Sequence, residues 1–305
     1  LKALWSVKAG KPSDQGSPAM GAAAELLDGG RALPELLEDA GEWARGPHAK
    51  SNWLLPGRIL VGGWPFRLPK GRGSPGESEE CGKEKLHSIL QAGIKTFVTL
   101  TEDSEIRGKP FAYNTFRSQA EAQFAEIHGS RRQARRSGEE LRFLQCPMPD
   151  GLVTSDEYLA RLLEVLLREI ADGRALYVHC YGGHGRTGVV ACALLCLLFE
   201  VPADDAVEIF NRLHRERVEC GIGGPGQFPH SEDQLNQVHR VASGIGQFKR
   251  LRVEPQGGTC TLPEDSDQYA SVATHVSTAR SGPHEQQQPP DDSVQASSMV
   301  EGKLR

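Results

Sequence analysis

At 305 residues the chain has room for one large domain or two small ones. Its 38% hydrophobic and 25% charged residues, with a mean hydropathy of −0.43, describe a globular domain with polar tails. A net charge of −5 and a pI near 6.1 argue against an electrostatic nucleic-acid binder, and no apolar run reaches the length of a membrane span.

The first 20 residues are rich in Gly, Pro, Ser and Lys and read as flexible. Ala22 to Glu42 can hold a short helix with Leu26, Leu27, Leu33, Leu36 and Leu37 on one face, broken by Gly29-Gly30 and Pro34. Residues 1–50 are therefore expected to be a flexible or partly helical extension. A catalytic domain is expected over 51–250, and a disordered tail rich in Ser, Gln, Pro and Asp over 251–305.

Within the domain, strands are expected near 58–61, 96–100, 141–145 and 175–179. Residues 69–80 are a loop by composition, and Lys83 to Ala92 a helix closed by Gly93. Phe116 to Ile127 is a further helix. The basic run from Arg131 to Arg136 reads as a solvated loop, with a contact for an acidic partner as the alternative. Thr154 to Ala171 has the clearest amphipathic spacing, through Leu159, Leu162, Leu163, Leu166, Leu167 and Ile170. Val189 to Phe199 is apolar throughout and reads as a buried helix. Ala203 to Arg217 and Gln234 to Ser243 are the last helices, separated by a Gly-rich stretch at 221–227. Strands alternating with helices give an α/β fold: a central mixed, mainly parallel sheet flanked by helices, in a single catalytic domain with its site at the strands' C-terminal ends.

The most informative run is Val178-His179-Cys180-Tyr181-Gly182-Gly183-His184-Gly185-Arg186-Thr187-Gly188. A strand that ends in a Gly-rich loop and then opens a helix directs loop amides and the helix dipole at one spot, which makes an anion cradle. Tyr181, Gly182, Gly183, His184, Gly185 and Arg186 are its phosphate-binding residues. The same field favours the thiolate of Cys180, and the planar fork of Arg186 can grip two phosphate oxygens. A nucleophile and a phosphate clamp in one loop imply phosphoryl transfer through a cysteinyl-phosphate. A bare Cys-x5-Arg is weak in a chain with seven cysteines, but the whole string is far rarer than that spacing. The bland reading is a buried cysteine in an ordinary strand–loop–helix turn.

The string resembles the signature of cysteine-dependent protein phosphatases, His-Cys-x2-Gly-x2-Arg-Ser/Thr, at His179, Cys180, Gly183, Arg186 and Thr187. Upstream, Pro147-Met148-Pro149-Asp150 resembles the Pro-x-x-Asp loop of the dual-specificity branch, whose Asp is the general acid. The competing reading of Asp150 as a helix cap is weaker, because Thr154 and Ser155 are better placed to cap the next helix. Downstream, Pro229-His230-Ser231-Glu232-Asp233-Gln234 resembles a segment of atypical members that brings a Gln near the phosphate. Capping by Ser231 explains its start equally well, and Gln234 is the candidate guide for the hydrolytic water. Asn52 to Gly63 is similar to the segment that opens the domain in atypical members, as a turn and first strand. Thr96 to Glu105 looks like the second core strand and its acidic exit, and Tyr113 falls where these proteins often carry a tyrosine.

The resemblance implies a phosphoric monoester hydrolase, a tyrosine or dual-specificity phosphatase. Cys180 would be the nucleophile, Arg186 the clamp and Asp150 the acid, with Thr187 easing departure of the sulfur and His179 orienting the loop from outside. A phosphorylated protein is the expected substrate. A phosphoinositide is the alternative, because His184 stands where phosphoinositide phosphatases of this superfamily carry a lysine. A phospho-binding pseudophosphatase is the reading from another class. No metal or organic cofactor is expected, since the cysteines show no Cys-x2-Cys pairing. An odd number of cysteines with one reactive thiol suits a reducing compartment, the cytoplasm or nucleus. Cys146 is expected to be structural, with a resolving-thiol role as its alternative.

Overall fold

The sheet begins at its edge with a local signal, Pro56-Gly57 between two apolar runs. Strand β1 (Ser51–Leu55) turns there into β2 (Ile59–Gly62), and the two pair antiparallel from Ser51↔Gly62. A first strand near 58–61 was expected; β1 is an additional one. The structure is a computed structural model that describes residues 33–65, 79–106, 113–129, 140–218 and 228–248. The expected flexible start, the basic run from Arg131 to Arg136, the Gly-rich 221–227 and the C-terminal tail lie outside those residues, as does the loop expected over 69–80 except for Glu79 and Glu80, which instead open the helix expected from Lys83.

The other strands are β3 (Thr96–Thr99), β4 (Arg142–Gln145) and β5 (Leu176–His179), in the order β1-β2-β5-β3-β4. All pairs after the first are parallel, with Val61 and Val98 both in register with Val178. The sheet is thus mixed and mainly parallel, as the alternation of strands and helices implies. Side chains alternate across it. Leu60, Phe97 and Tyr177 form one core with Leu86, Ile89 and Leu90 of α3 (Glu79–Gln91) and with Phe116 and Phe124 of α5 (Tyr113–His128). Gly93 ends the α3 segment in the left-handed region, at φ 86°.

The opposite face is covered by α6 (Asp156–Ala171) and α7 (Gly185–Phe199), which contact β5 and β2 respectively. Ser155 caps α6, accepting a hydrogen bond from Tyr158 N at 3.1 Å. The leucine stripe does the larger work: burying each Leu or Ile is worth about 1.5–3 kcal/mol, against ~1 kcal/mol for the cap. Leu159, Leu162, Leu163, Leu166 and Ile170 are all buried, and Leu167 is half-buried at the edge of the stripe. The stripe fixes the helix to the sheet and Ser155 fixes where it begins. Helix α7 is buried nearly all round, as its composition requires, and contacts α6, α8 (Ala203–His214) and α9 (Glu232–Phe248). It opens at Gly185, four positions before the apolar run, so Arg186 and Thr187 lie on its first turn.

Two short helices, α1 (Leu33–Glu38) and α2 (Ala40–Trp43), precede the sheet, and α4 (Asp103–Ile106) follows β3. The Ala44 carbonyl accepts from Trp53 N at 2.7 Å, and the Leu37 carbonyl accepts from Arg212 Nη2 at 2.5 Å. Residues 33–50 are therefore built into the sheet unit. Among the described residues no single helix is long and apolar enough to cross a membrane.

Candidate active site

Parallel strands end together, and their ends assemble the site. Leu100 N bonds to His179 O at 2.8 Å, Cys146 N to Thr99 O at 2.8 Å, and Met148 N to Leu100 O at 3.1 Å. Cys180 follows β5, is 3% exposed, and its Sγ accepts from Gly183 N at 3.1 Å. The loop folds back on the end of β2. Gly183 has φ 78°, and a Cβ there would stand 2.4–2.6 Å from the Gly62 and Gly63 backbone. Only glycine fits such a conformation with so close an approach. Trp64 N bonds to Tyr181 O at 3.1 Å on the same side.

Arg186 is 2% exposed and forms a fork with Glu105, Nη1 to Oε1 at 2.5 Å and Nη2 to Oε2 at 2.8 Å. Nη1 also donates to Met148 O at 3.0 Å, and Nη2 stands 2.9 Å from Asp150 Oδ1. Burial works against the charge of Arg186. The Glu105 hydrogen bonds and the charges of Cys180, Glu105 and Asp150 outweigh it and hold the guanidinium above its usual value. Arg186 Nε is buried without a hydrogen-bond partner among the described residues. That donor is available to a further acceptor. Glu102, whose N–H donates to Glu105 Oε1 at 2.8 Å, has its carboxyl raised by burial first and then by the Glu105 charge.

Asp150 sits at the end of the Pro-Met-Pro run and is largely exposed, its side chain 75% so. It caps no helix, since Ser155 takes that role. Gln234 is buried on the first turn of α9 and spans the acid loop and the phosphate loop. Its Nε2 donates to Leu152 O at 3.2 Å, its Oε1 accepts from His230 N at 3.2 Å, and its amide lies 3.1–3.2 Å from where a Cβ on Gly185 would stand. Ser231 accepts from Gln234 N at 3.2 Å, as a cap should. Gln237 and Arg240 extend the tie, bonding Thr154 O at 2.6 Å and Asp156 Oδ2 at 2.7 Å.

His179 is fully buried and lies beneath the loop. Burial lowers its pKa to about 3, with a smaller opposing effect from the Cys180 backbone. The neutral ring pairs with Thr99 Oγ1 at 3.2 Å and stacks on Tyr177 at 5.2 Å. Thr187 Oγ1 is buried without a hydrogen-bond partner among the described residues, so the expected bond to the sulfur is not formed in this state. The His184 ring leaves the loop to stack on Phe228 at 4.7 Å, with Nδ1 2.8 Å from His214 Nε2. Burial drives the pKa of His214 down to about 2, reinforced by the Arg217 charge. The Tyr113 side chain lies outside the described residues. Among the described residues no three His, Cys, Asp or Glu side chains converge on a metal position.

Cys180, Arg186, Asp150 and Gln234 are therefore brought together around one loop. Glu105 was legible only as an acidic strand exit, and Arg217, treated below, as the end of a helix. Both acquire roles through tertiary contacts alone.

A thiol and a guanidinium thus share one Gly-rich turn at the C-terminal edge of a mainly parallel sheet, the arrangement expected of an anion cradle. Residues 75–218, just under half of the chain, match the family model described as "PTP-SAK: Swiss Army Knife protein, DSP-PTPase phosphatase domain". This segment is similar to phosphatase domains of the dual-specificity and tyrosine phosphatase class. The match leaves the β1–β2 hairpin and α9 with Gln234 outside it. Among curated relatives, "Putative tyrosine phosphatase 197R" of Invertebrate iridescent virus 6 is 23% identical over 141 residues, 46% of this chain and 46% of the viral protein. "Putative tyrosine phosphatase 067L" of Invertebrate iridescent virus 3 is 27% identical over 79 residues, 25% of this chain and 33% of that one. The chain thus spans less than half the length of either. Similar solved structures include Tk-PTP in its active form, at 17% identity and TM-score 0.42, covering 64% of this chain and 97% of that one. The human tyrosine phosphatase-like serine/threonine/tyrosine-interacting protein is 14% identical at TM-score 0.42, covering 64% and 97%.

Proposed function

We propose that this chain hydrolyses phosphoric monoesters on tyrosine, or on tyrosine and serine/threonine, of a phosphorylated protein through a cysteinyl-phosphate. The observation that carries the reading is the buried Arg186 guanidinium, forked to Glu105, with a buried unused donor beside the Cys180 loop. Cys180 Sγ attacks phosphorus, forming the S–P bond as the P–O bond to the leaving group breaks. Loop amides and Arg186 hold the remaining oxygens, so positioning and charge stabilisation carry most of the rate. Asp150, in its protonated form, gives its proton to the leaving oxygen. Its contact with Arg186 Nη2 means that an incoming phosphate replaces Asp150 on the fork and frees it to face the leaving group.

In the second step water attacks phosphorus and gives a proton to the Asp150 carboxylate. The S–P bond breaks and the thiolate returns. Gln234 uses one donor on Leu152 O of the acid loop and one acceptor on His230 N just before its own helix, and keeps one of each to orient that water. The phosphoinositide alternative needs a cationic His184 turned toward the ligand. Its ring instead packs on Phe228 and pairs with His214, which favours a protein substrate. A thiolate nucleophile suits a reducing compartment, the cytoplasm or nucleus.

The test is phosphate release by wild-type and Cys180→Ser protein from an aryl phosphate, phosphotyrosine and phosphothreonine peptides, and a phosphoinositide. Release by the wild type alone, greatest on phosphotyrosine peptide, is expected. Preference for the lipid would move the substrate class. Tight stoichiometric binding without release would make the chain a phospho-binding protein.

A further inference from the structure

Arg217 follows α8 by three positions and is 4% exposed. Its guanidinium donates from Nη1 to Gly183 O at 3.0 Å and from Nε to Asn52 Oδ1 on β1 at 2.6 Å, and Nη2 reaches toward Val61 O on β2 at 3.5 Å. The Gly183–His184 peptide is trans, so its carbonyl and its N–H point opposite ways. A cation holding the Gly183 carbonyl behind the loop turns the His184 N–H to the front, where the anion binds. A flip of that peptide would place carbonyl lone pairs against the phosphate oxygens. The charged donor also polarises the peptide and strengthens its N–H as a donor. His214, on the same turn, holds the His184 ring through the 2.8 Å contact, so both ends of the peptide are tied from one side.

We propose that Arg217 is a positioning residue for the phosphate loop. It holds the Gly183–His184 peptide in the anion-binding orientation and couples the loop to the β1–β2 hairpin through Asn52. The inference deepens the phosphatase reading and rests on it for the identity of the anion.

The experiment compares wild type, Arg217→Met, Arg217→Lys and, as a control, Arg174→Met, a buried arginine at the opposite end of the sheet. Inorganic phosphate binding is read by calorimetry, turnover on an aryl phosphate by kcat and KM, and stability by thermal midpoint. Arg217→Met is expected to weaken phosphate binding ~10- to 100-fold and to lower kcat/KM at least as much, below the cost of losing a direct oxyanion donor. Arg217→Lys should recover part of the loss, because it keeps one charged donor. Arg174→Met should lower the midpoint and leave phosphate affinity unchanged. Phosphate affinity in Arg217→Met within about threefold of wild type, or reduced no more than in Arg174→Met, overturns the proposal. If Arg217→Met does not fold, Arg217→Lys decides: weaker phosphate binding in a folded protein supports the role, and wild-type affinity overturns it. Wild-type protein that binds phosphate but releases none from the ester defeats the hydrolase reading while the binding arm still tests Arg217. Wild-type protein that does neither defeats both.

Discussion

Two buried arginines stand at opposite ends of one sheet, and their surroundings differ in kind. At the N-terminal edge Arg174 bonds Thr96 Oγ1 and Glu169 Oε2 at 2.9 Å, Lys95 O at 2.9 Å, and Glu140 O. Glu169 is shared with Thr96 and Arg142. That network closes on itself, and burial followed by the Arg142 charge lowers the pKa of Arg174. At the C-terminal edge Arg186 also has a carboxylate fork, yet its Nε lacks a partner among the described residues and its Nη2 meets an exposed aspartate. The same residue type staples strands at one edge and, on the function proposed, takes an anion at the other. Buried charge alone does not mark a site; buried charge with spare hydrogen-bonding capacity does.

The sharpest way to break this contrast is to treat both arginines alike. Arg186→Lys is expected to lower kcat/KM by about 10³-fold or more, because a point charge replaces neither the Glu105 fork nor the grip on phosphate. Arg174→Lys should lower the thermal midpoint with kcat/KM near wild type. Steady-state kinetics on an aryl phosphate, with melting curves for both variants, would show it. Similar losses of activity in the two would erase the distinction.

Next in size is the acid. Asp150→Ala should cost ~10²- to 10⁴-fold on an alkyl phosphate, a poor leaving group, and much less on an activated aryl ester. A uniform small loss across leaving groups would assign proton donation elsewhere, with Glu102, whose carboxyl is raised by burial, an alternative on the strand exit.

The smallest effect concerns acid stability. Burial holds His48, which lies just before β1 with Nε2 3.1 Å from Tyr177 Oη, and His179 at about 3, and His214 at about 2, against an ordinary 6.5. The unfolded chain takes up these protons below about pH 6.5 and the folded one does not, so their contribution is intact above that value and is lost as pH falls toward 3. Thermal midpoints from pH 7.5 down to 5 should fall steadily. A flat profile would mean that these rings stay accessible to protons in the folded state.

Much of this was readable beforehand because the signals were local. The Leu159–Ile170 stripe, the apolar helix behind the loop and the Cys180–Arg186 turn each announce themselves within a dozen residues. Strand β1 was missed because Ser51–Leu55 is short and lies against a Pro-Gly turn that reads as a single opening segment. Glu105, Arg217 and Asn52 were invisible as site residues for another reason. Each joins segments far apart in sequence, and an acid after a strand or an arginine after a helix is commonplace on any surface. The sulfur bond assigned to Thr187 depended on a rotamer that its position on the first turn of α7 does not dictate.

The central claim is a covalent phosphate on Cys180. Rapid acid quench of wild-type protein turning over an aryl phosphate, followed by peptide mass spectrometry, is expected to find phosphate on the Cys180 peptide and none in Cys180→Ser. Turnover without that adduct, or turnover that survives Cys180→Ser, would contradict it.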